Sequence, residues 1–103
     1  GGYHYSDDAS AIVADYGGWP AVFWYDRETG DRWHIAFDDD PTEPPDVMRE
    51  FVRWNPDGTF VYRQATDADQ QATWFASSGL AFAGTYWRAD PNTRTVVEVT
   101  APD

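Results

Sequence analysis

Residues Ala21–Phe37 read AVFWYDRETGDRWHIAF, and this stretch decides the fold class. Two runs of aromatic and branched residues flank Arg27–Gly30, a four-residue connection whose Gly30 can take the positive φ that closes a hairpin. Side chains of this kind suit a pleated, half-buried surface. Closing the loop on Asp26 and Asp31 sets Trp24 opposite Trp33 and Val22 opposite Ile35 on one face. Phe23 and Tyr25 then meet His34 and Arg32 on the other. Both faces are aromatic, which a sheet with one solvated face seldom shows.

Working outward toward the N-terminus, Ser6–Tyr16 (SDDASAIVADY) opens with a capping serine and two acids. Ala9, Ile12, Val13 and Tyr16 follow at helical spacing, and Gly17-Gly18 stands where a left-handed cap ends a helix. A short amphipathic helix is predicted here. On the other side, Asp38–Asp46 (DDDPTEPPD) is proline-broken and acidic, a surface loop. The stretch VMREFVRW supports two readings. Helical spacing gathers Asp46, Arg49, Glu50 and Arg53 on one arc and Val47, Met48, Phe51 and Val52 on the other. Yet Trp54–Phe60 (WNPDGTF) is a hairpin signal, with a type I turn followed by Gly58. The expectation is a helical turn near Pro45–Arg49 that passes into a strand over Phe51–Asn55.

Thr59–Ala65 reads as a strand. Thr66–Ser78 fits a short helix capped at Thr66 or a loop entering a strand at Thr73–Ala76. Leu80–Ala89 and Thr95–Thr100 form a last hairpin around Asp90–Thr93, where Pro91 presets the turn. The sum is one domain over residues 1–103, mainly β (small α+β). Its expected architecture is a single antiparallel meander sheet or partial barrel of five to seven strands, with a short N-terminal helix. NPDGTF and GTYWRADPNTRTVVEV resemble the last strands of small lipocalin-like barrels, where an Asp-Gly hairpin precedes a Gly-Thr-x-Trp strand. The likeness covers less than half of the chain and has no matching N-terminal strand motif. A full eight-stranded ligand barrel would also leave few residues for loops, so no family is assigned from it.

Composition sets the kind of surface. The chain has 18 acidic residues against seven basic ones, all arginine, for a net charge of −11. It also has six each of Trp, Tyr and Phe, and a single leucine, Leu80. Acid excess of this size accompanies disorder only where aromatics are scarce. This is a folded domain with an acidic coat. Such a coat repels nucleic acid and anionic membranes at long range and attracts a basic protein surface or a cationic ligand. Solubility or salt adaptation would give the same coat. Without cysteine there is no disulfide, thiolate metal site or cysteine nucleophile. No apolar run approaches the ~18 residues that read as a membrane span, so a soluble protein is expected, with the cytoplasm favoured and the oligomeric state open.

Three groups of residues are candidates for function. Phe23, Tyr25, Arg32 and His34 share one hairpin face, where Arg32 over Tyr25 would form a cation–π contact. This face is a binding surface unless the rest of the fold covers it. Pairing Phe51–Asn55 with Thr59–Arg63 aligns Arg53 with Val61 and Phe51 with Arg63. Arg53, Arg63 and Phe51 then form a strip able to grip a carboxylate or phosphate, unless the chain's own acids neutralise it. Asp38, Asp39, Asp40 and Glu43 form an acidic loop without the order of a calcium-binding EF-hand. No nucleophile motif, phosphate loop or metal-binding histidine pair occurs, so no catalytic residue, metal or cofactor is expected. The preferred function is a non-catalytic protein-binding module of inhibitor or immunity type. It would present Phe23, Tyr25, Arg32, His34 and the loop acids to a basic protein partner. A small β-barrel taking a hydrophobic or anionic ligand, and a structural module with a salt-adapted surface, are the alternatives.

Overall fold

The hairpin around Arg27–Gly30 forms in the register that the alternation predicts. In the computed structural model, which describes residues 2–15, 20–35, 47–70 and 83–101, Trp24 pairs with Trp33, Val22 with Ile35, Phe23 with His34 and Tyr25 with Arg32. Gly30 has φ +77°, and Asp26 Oδ1 accepts from the backbone N–H groups of Glu28 and Thr29. This hairpin belongs to an antiparallel sheet of four strands. They are β1 (Gly2–Tyr5), β2 (Ala11–Asp15), β3 (Val22–Asp26) and β4 (Arg32–Ile35). A second antiparallel sheet contains β5 (Met48–Trp54), β6 (Phe60–Ala65), β7 (Thr85–Asp90) and β8 (Thr95–Val99). The protein is therefore mainly β, but it has two meanders of four strands and not one sheet of five to seven, and they do not close into a barrel.

The expected N-terminal helix is absent, and over its described residues 6–15 a turn and strand β2 stand in its place. Asp8 does not cap a helix. Its Oδ1 accepts from the Ser10 N–H at 3.0 Å, the Ser10 hydroxyl at 2.7 Å and the Ser6 hydroxyl at 3.1 Å, folding residues 6–10 into a tight turn. Ala9 sits there at φ +60°. The side chains that start helices also build turns of this kind, and the branched Ile12-Val13 pair then runs on as a strand. A single turn of helix does form at residues 67–70, opened by the expected Thr66 cap. The Thr66 hydroxyl accepts from the Asp69 N–H, and the Asp69 carboxylate accepts from the Thr66 N–H. The expected helical turn near Arg49 is instead the start of β5. The acidic loop 38–46 and the 73–76 segment lie outside the described residues.

Strand β5 carries a bulge that revises the arginine strip. Trp54 pairs with Phe60 and Arg53 with Val61 as expected, but the register shifts between Phe51 and Arg53. Phe51 therefore faces Tyr62, and Glu50, not Phe51, faces Arg63. An extra residue of this kind rotates everything upstream of it onto the opposite face. Phe51 turns inward, where its ring lies 6.3 Å from Phe60 and 5.9 Å from Trp54.

The inner faces of the two sheets share one core. Val13, Val22, Trp24, Trp33 and Ile35 come from the first sheet, and Phe60, Tyr62 and Ala89 from the second, with Phe51, Trp54, Trp87 and Val96 packed around them. Polar ties also fix the sheets to each other. Asp15 is 3% exposed. It accepts from His4 Nε2 at Oδ1 and from the Phe51 backbone N–H at Oδ2, both at 2.8 Å. The His4 ring stacks on Phe51 at 4.3 Å, and its carbonyl accepts from Trp54 Nε1. Away from this site, Arg94 of the β7–β8 turn reaches Asp31 and lies 4.7 Å above the Trp24 ring.

Replacing Asp15 would leave a buried backbone N–H and an imidazole nitrogen without an acceptor. Asp15→Ala is expected to lower the free energy of unfolding by about 3 kcal/mol. Asp7→Ala, in the exposed turn, should change it by no more than ~0.5 kcal/mol. Urea denaturation of both variants checks the difference.

Candidate functional site

The outer face of the first sheet consists of two cross-strand rows. One runs Tyr3–Ala14–Phe23–His34, and the other Tyr5–Ile12–Tyr25–Arg32. Alternation puts these side chains on the face away from Trp24 and Trp33, with Ala14 itself buried. Tyr3 and Tyr5 are 65% and 56% exposed, Arg32 is exposed, and Ile12, Phe23, Tyr25 and His34 are half-buried. Phe23, Tyr25, Arg32 and His34 are thus together, as the hairpin register requires. Tyr3, Tyr5 and Ile12 were hidden from the sequence reading by the helix assigned to Ser6–Tyr16. The signal that would have found them is the strict alternation of Tyr3-His4-Tyr5.

His34 holds an unusual position on this face. The Phe23 ring meets its imidazole edge-on at 4.8 Å, and the Tyr25 ring lies at 6.4 Å. Its Nε2 is buried and has no hydrogen-bond partner among the described residues. A buried polar atom left unpaired costs about 1–3 kcal/mol. The expected stacking of Arg32 on Tyr25 gives way to these ring contacts with His34. The cation–π contact on this face comes from Arg27, 5.6 Å from the Tyr5 ring centre.

One end of the face is acidic. The β1–β2 turn and the β3–β4 turn lie side by side there, joined by the Arg27 N–H to Ser10 O and by Arg27 Nη1 to Ala9 O. They expose Asp7, Asp8, Glu28 and Asp31. Hydrogen bonds from the Ser10 hydroxyl and N–H, then from the Ser6 hydroxyl, hold the Asp8 carboxyl below the ordinary aspartate value. The N–H groups of Glu28 and Thr29 do the same for Asp26. These carboxylates remain charged across the physiological range. A cleft of about 160 Å³ opens at this end, bordered by Trp24, Trp54, Asp26 and Glu28. The loop acids Asp38, Asp39, Asp40 and Glu43 lie outside the described residues.

The residues expected to form an anion grip are dispersed. Arg63 is 3% exposed. It donates from Nε to Glu50 Oε1 at 2.7 Å, from Nη1 to Ala83 O and from Nη2 to Gln70 Oε1. It is a structural cation that joins β5, β6, the helical turn at 67–70 and the chain just before β7. Phe51 belongs to the core. Arg53 alone of the three stays on the outer surface, beside a depression of about 380 Å³.

Among the described residues no group of three or more His, Asp or Glu side chains is placed to hold a metal ion, and no helix is long and apolar enough to cross a membrane. The chain matches no protein-family model, no curated protein and no solved structure.

The turn carboxylates make acid stability predictable in sign. Asp8, Asp26 and Asp57 are each held below 3.8 when folded, Asp57 chiefly by the Thr59 hydroxyl and N–H. Their contribution is complete above that value and is lost as the pH falls through it and below. The thermal midpoint should therefore fall as the pH drops below the ordinary aspartate range. The triple variant Asp8→Asn, Asp26→Asn, Asp57→Asn should show a shallower acid limb. A limb as steep as in the parent protein would reject this assignment.

Proposed function

We propose that this protein is a non-catalytic binding module, of inhibitor or immunity type, that docks on a basic protein through the outer face of its first sheet. The observation that carries the reading is the two-row aromatic face, with Tyr3 and Tyr5 exposed in register with Phe23 and Tyr25. Tyrosine and arginine supply large contact areas with polar tips, and such residues dominate the energetics of protein interfaces. Phe23 and Tyr25 are held by the sheet, so little side-chain freedom remains to be lost on docking.

Charge supports the choice of partner. Asp7, Asp8, Glu28 and Asp31 border the face at one end, and the whole chain carries −11. Complementary charge raises association rates and makes them sensitive to salt. A solubility coat alone would not account for two exposed tyrosines in register with two further aromatic rings. The barrel alternative loses its premise, because the sheets do not close around a cavity.

The test uses paired baits, the parent protein and Tyr3→Ser/Tyr5→Ser. A true partner is basic, is captured by the parent and binds the double variant at least ~30-fold more weakly, as loss of an interface hot spot implies. Its association rate should fall steeply as salt rises from about 50 to 300 mM. Equal capture by both baits, or association indifferent to salt, would sink the proposal.

A further inference from the structure

The second sheet shows an arrangement that the partner-binding reading does not use. Cross-strand pairing sets Arg53 of β5, Val61 of β6, Arg88 of β7 and Val97 of β8 in a single row on the outer face. Arg53 and Arg88 flank Val61, their backbones ~10 Å apart at the spacing of antiparallel strands. Both border the 380 Å³ depression, together with Asn55, Val61, Val99 and Thr100.

Four of the other five arginines are engaged, while Arg32 stands exposed on the outer face of the first sheet. Arg63 is bound to Glu50, Arg94 to Asp31, Arg49 to the Pro20 carbonyl and Arg27 to the Ala9 carbonyl. Arg53 and Arg88 make no hydrogen bond and no ion pair with any described residue. In a chain with 18 acids, a carboxylate beside them would be easy to provide. The next row of the same sheet does so, pairing Glu50 with Arg63. Asp57 lies near enough for Arg88 to contribute to its lowered pKa, but its Oδ1 accepts the Thr59 N–H at 3.0 Å and the Thr59 hydroxyl at 2.6 Å. Two cations one strand apart repel each other, and an anion between them would relieve that repulsion.

We infer that this depression binds a small organic anion, a carboxylate or phosphate head on a short apolar body. Guanidinium groups present paired N–H donors that match both heads bidentately. The depression falls in the volume range of small-molecule sites, which combine an apolar lining with a few placed polar groups. Here Val61 and Val99 give the apolar floor, Arg53 and Arg88 the charge, and Asn55 and Thr100 further polar groups. The site is local, so the overall −11 slows the approach of an anion without abolishing the grip, and binding weakens as salt rises. It stands apart from the outer face of the first sheet and does not depend on the function proposed for that face.

Benzoate, phenyl phosphate and inorganic phosphate, titrated at low ionic strength, test this by NMR of the arginine Nε–Hε groups and the valine methyls. Benzoate or phenyl phosphate should saturate shifts at Arg53, Arg88, Val61 and Val99, and the tighter of the two identifies the head group. Arg88→Gln should weaken that binding at least tenfold, and Arg53→Gln/Arg88→Gln should remove it. Both arginines are exposed, and dispersed backbone spectra verify that the variants fold. Tyr3→Ser/Tyr5→Ser should bind the probe as the parent does. Three results would overturn the proposal: shifts from inorganic phosphate alone (an adventitious ion only), retained binding in the double arginine variant, or shifts confined to other residues.

Discussion

The Asp15 carboxylate at the seam between the sheets is the interaction on which the remaining geometry depends. A buried carboxylate is tolerated only when its oxygens are well satisfied. Here one oxygen is held by the imidazole of His4 and the other by the Phe51 backbone N–H. Phe51 stands beside the β5 bulge, so its N–H is free of the regular ladder and points across to the first sheet. The bulge and the carboxylate therefore support each other. By holding Phe51 inward, the same bulge sets Glu50, in place of Phe51, opposite Arg63 on the outer face of the second sheet. An inter-sheet tie in the core thus determines what a surface on the far side displays.

Both candidate surfaces follow from the same principle of alternation. Each sheet gives its inner face to one shared core, and the outer faces keep whatever the pattern leaves. On the first sheet the remainder is aromatic, with an acidic end made by two adjoining turns. On the second it includes two arginines that form no ion pair with any described residue. Among the described residues, the acids have different roles. Several are committed to turns, where Asp8, Asp26 and Asp57 each accept local hydrogen bonds, and two hold the structure together through His4 and Arg63. Part of the charge excess is therefore explained by architecture. Among the described residues, Asp7 and Glu28 are exposed turn acids outside these roles.

The sequence determined by itself the local elements whose information lies within a few residues. Gly30 and Gly58 mark their hairpins, and period-two alternation places Trp24 against Trp33 and Phe60 against Trp54. The Thr66 cap is likewise a matter of four consecutive residues. Mainly antiparallel β structure and the grouping of Phe23, Tyr25, Arg32 and His34 were legible for that reason. Only the tertiary structure decided between helix and strand for Ser6–Tyr16, because the same serines and aspartates cap helices and close turns. A strand there gains a neighbour in β3, which no local pattern reports. The division into two sheets, the bulge at Val52 and the pairing state of each arginine were also decided at that level. Each depends on groups far apart in sequence, such as the Asp15 carboxylate and the Phe51 N–H, and burial makes their satisfaction compulsory only once the chain has brought them together.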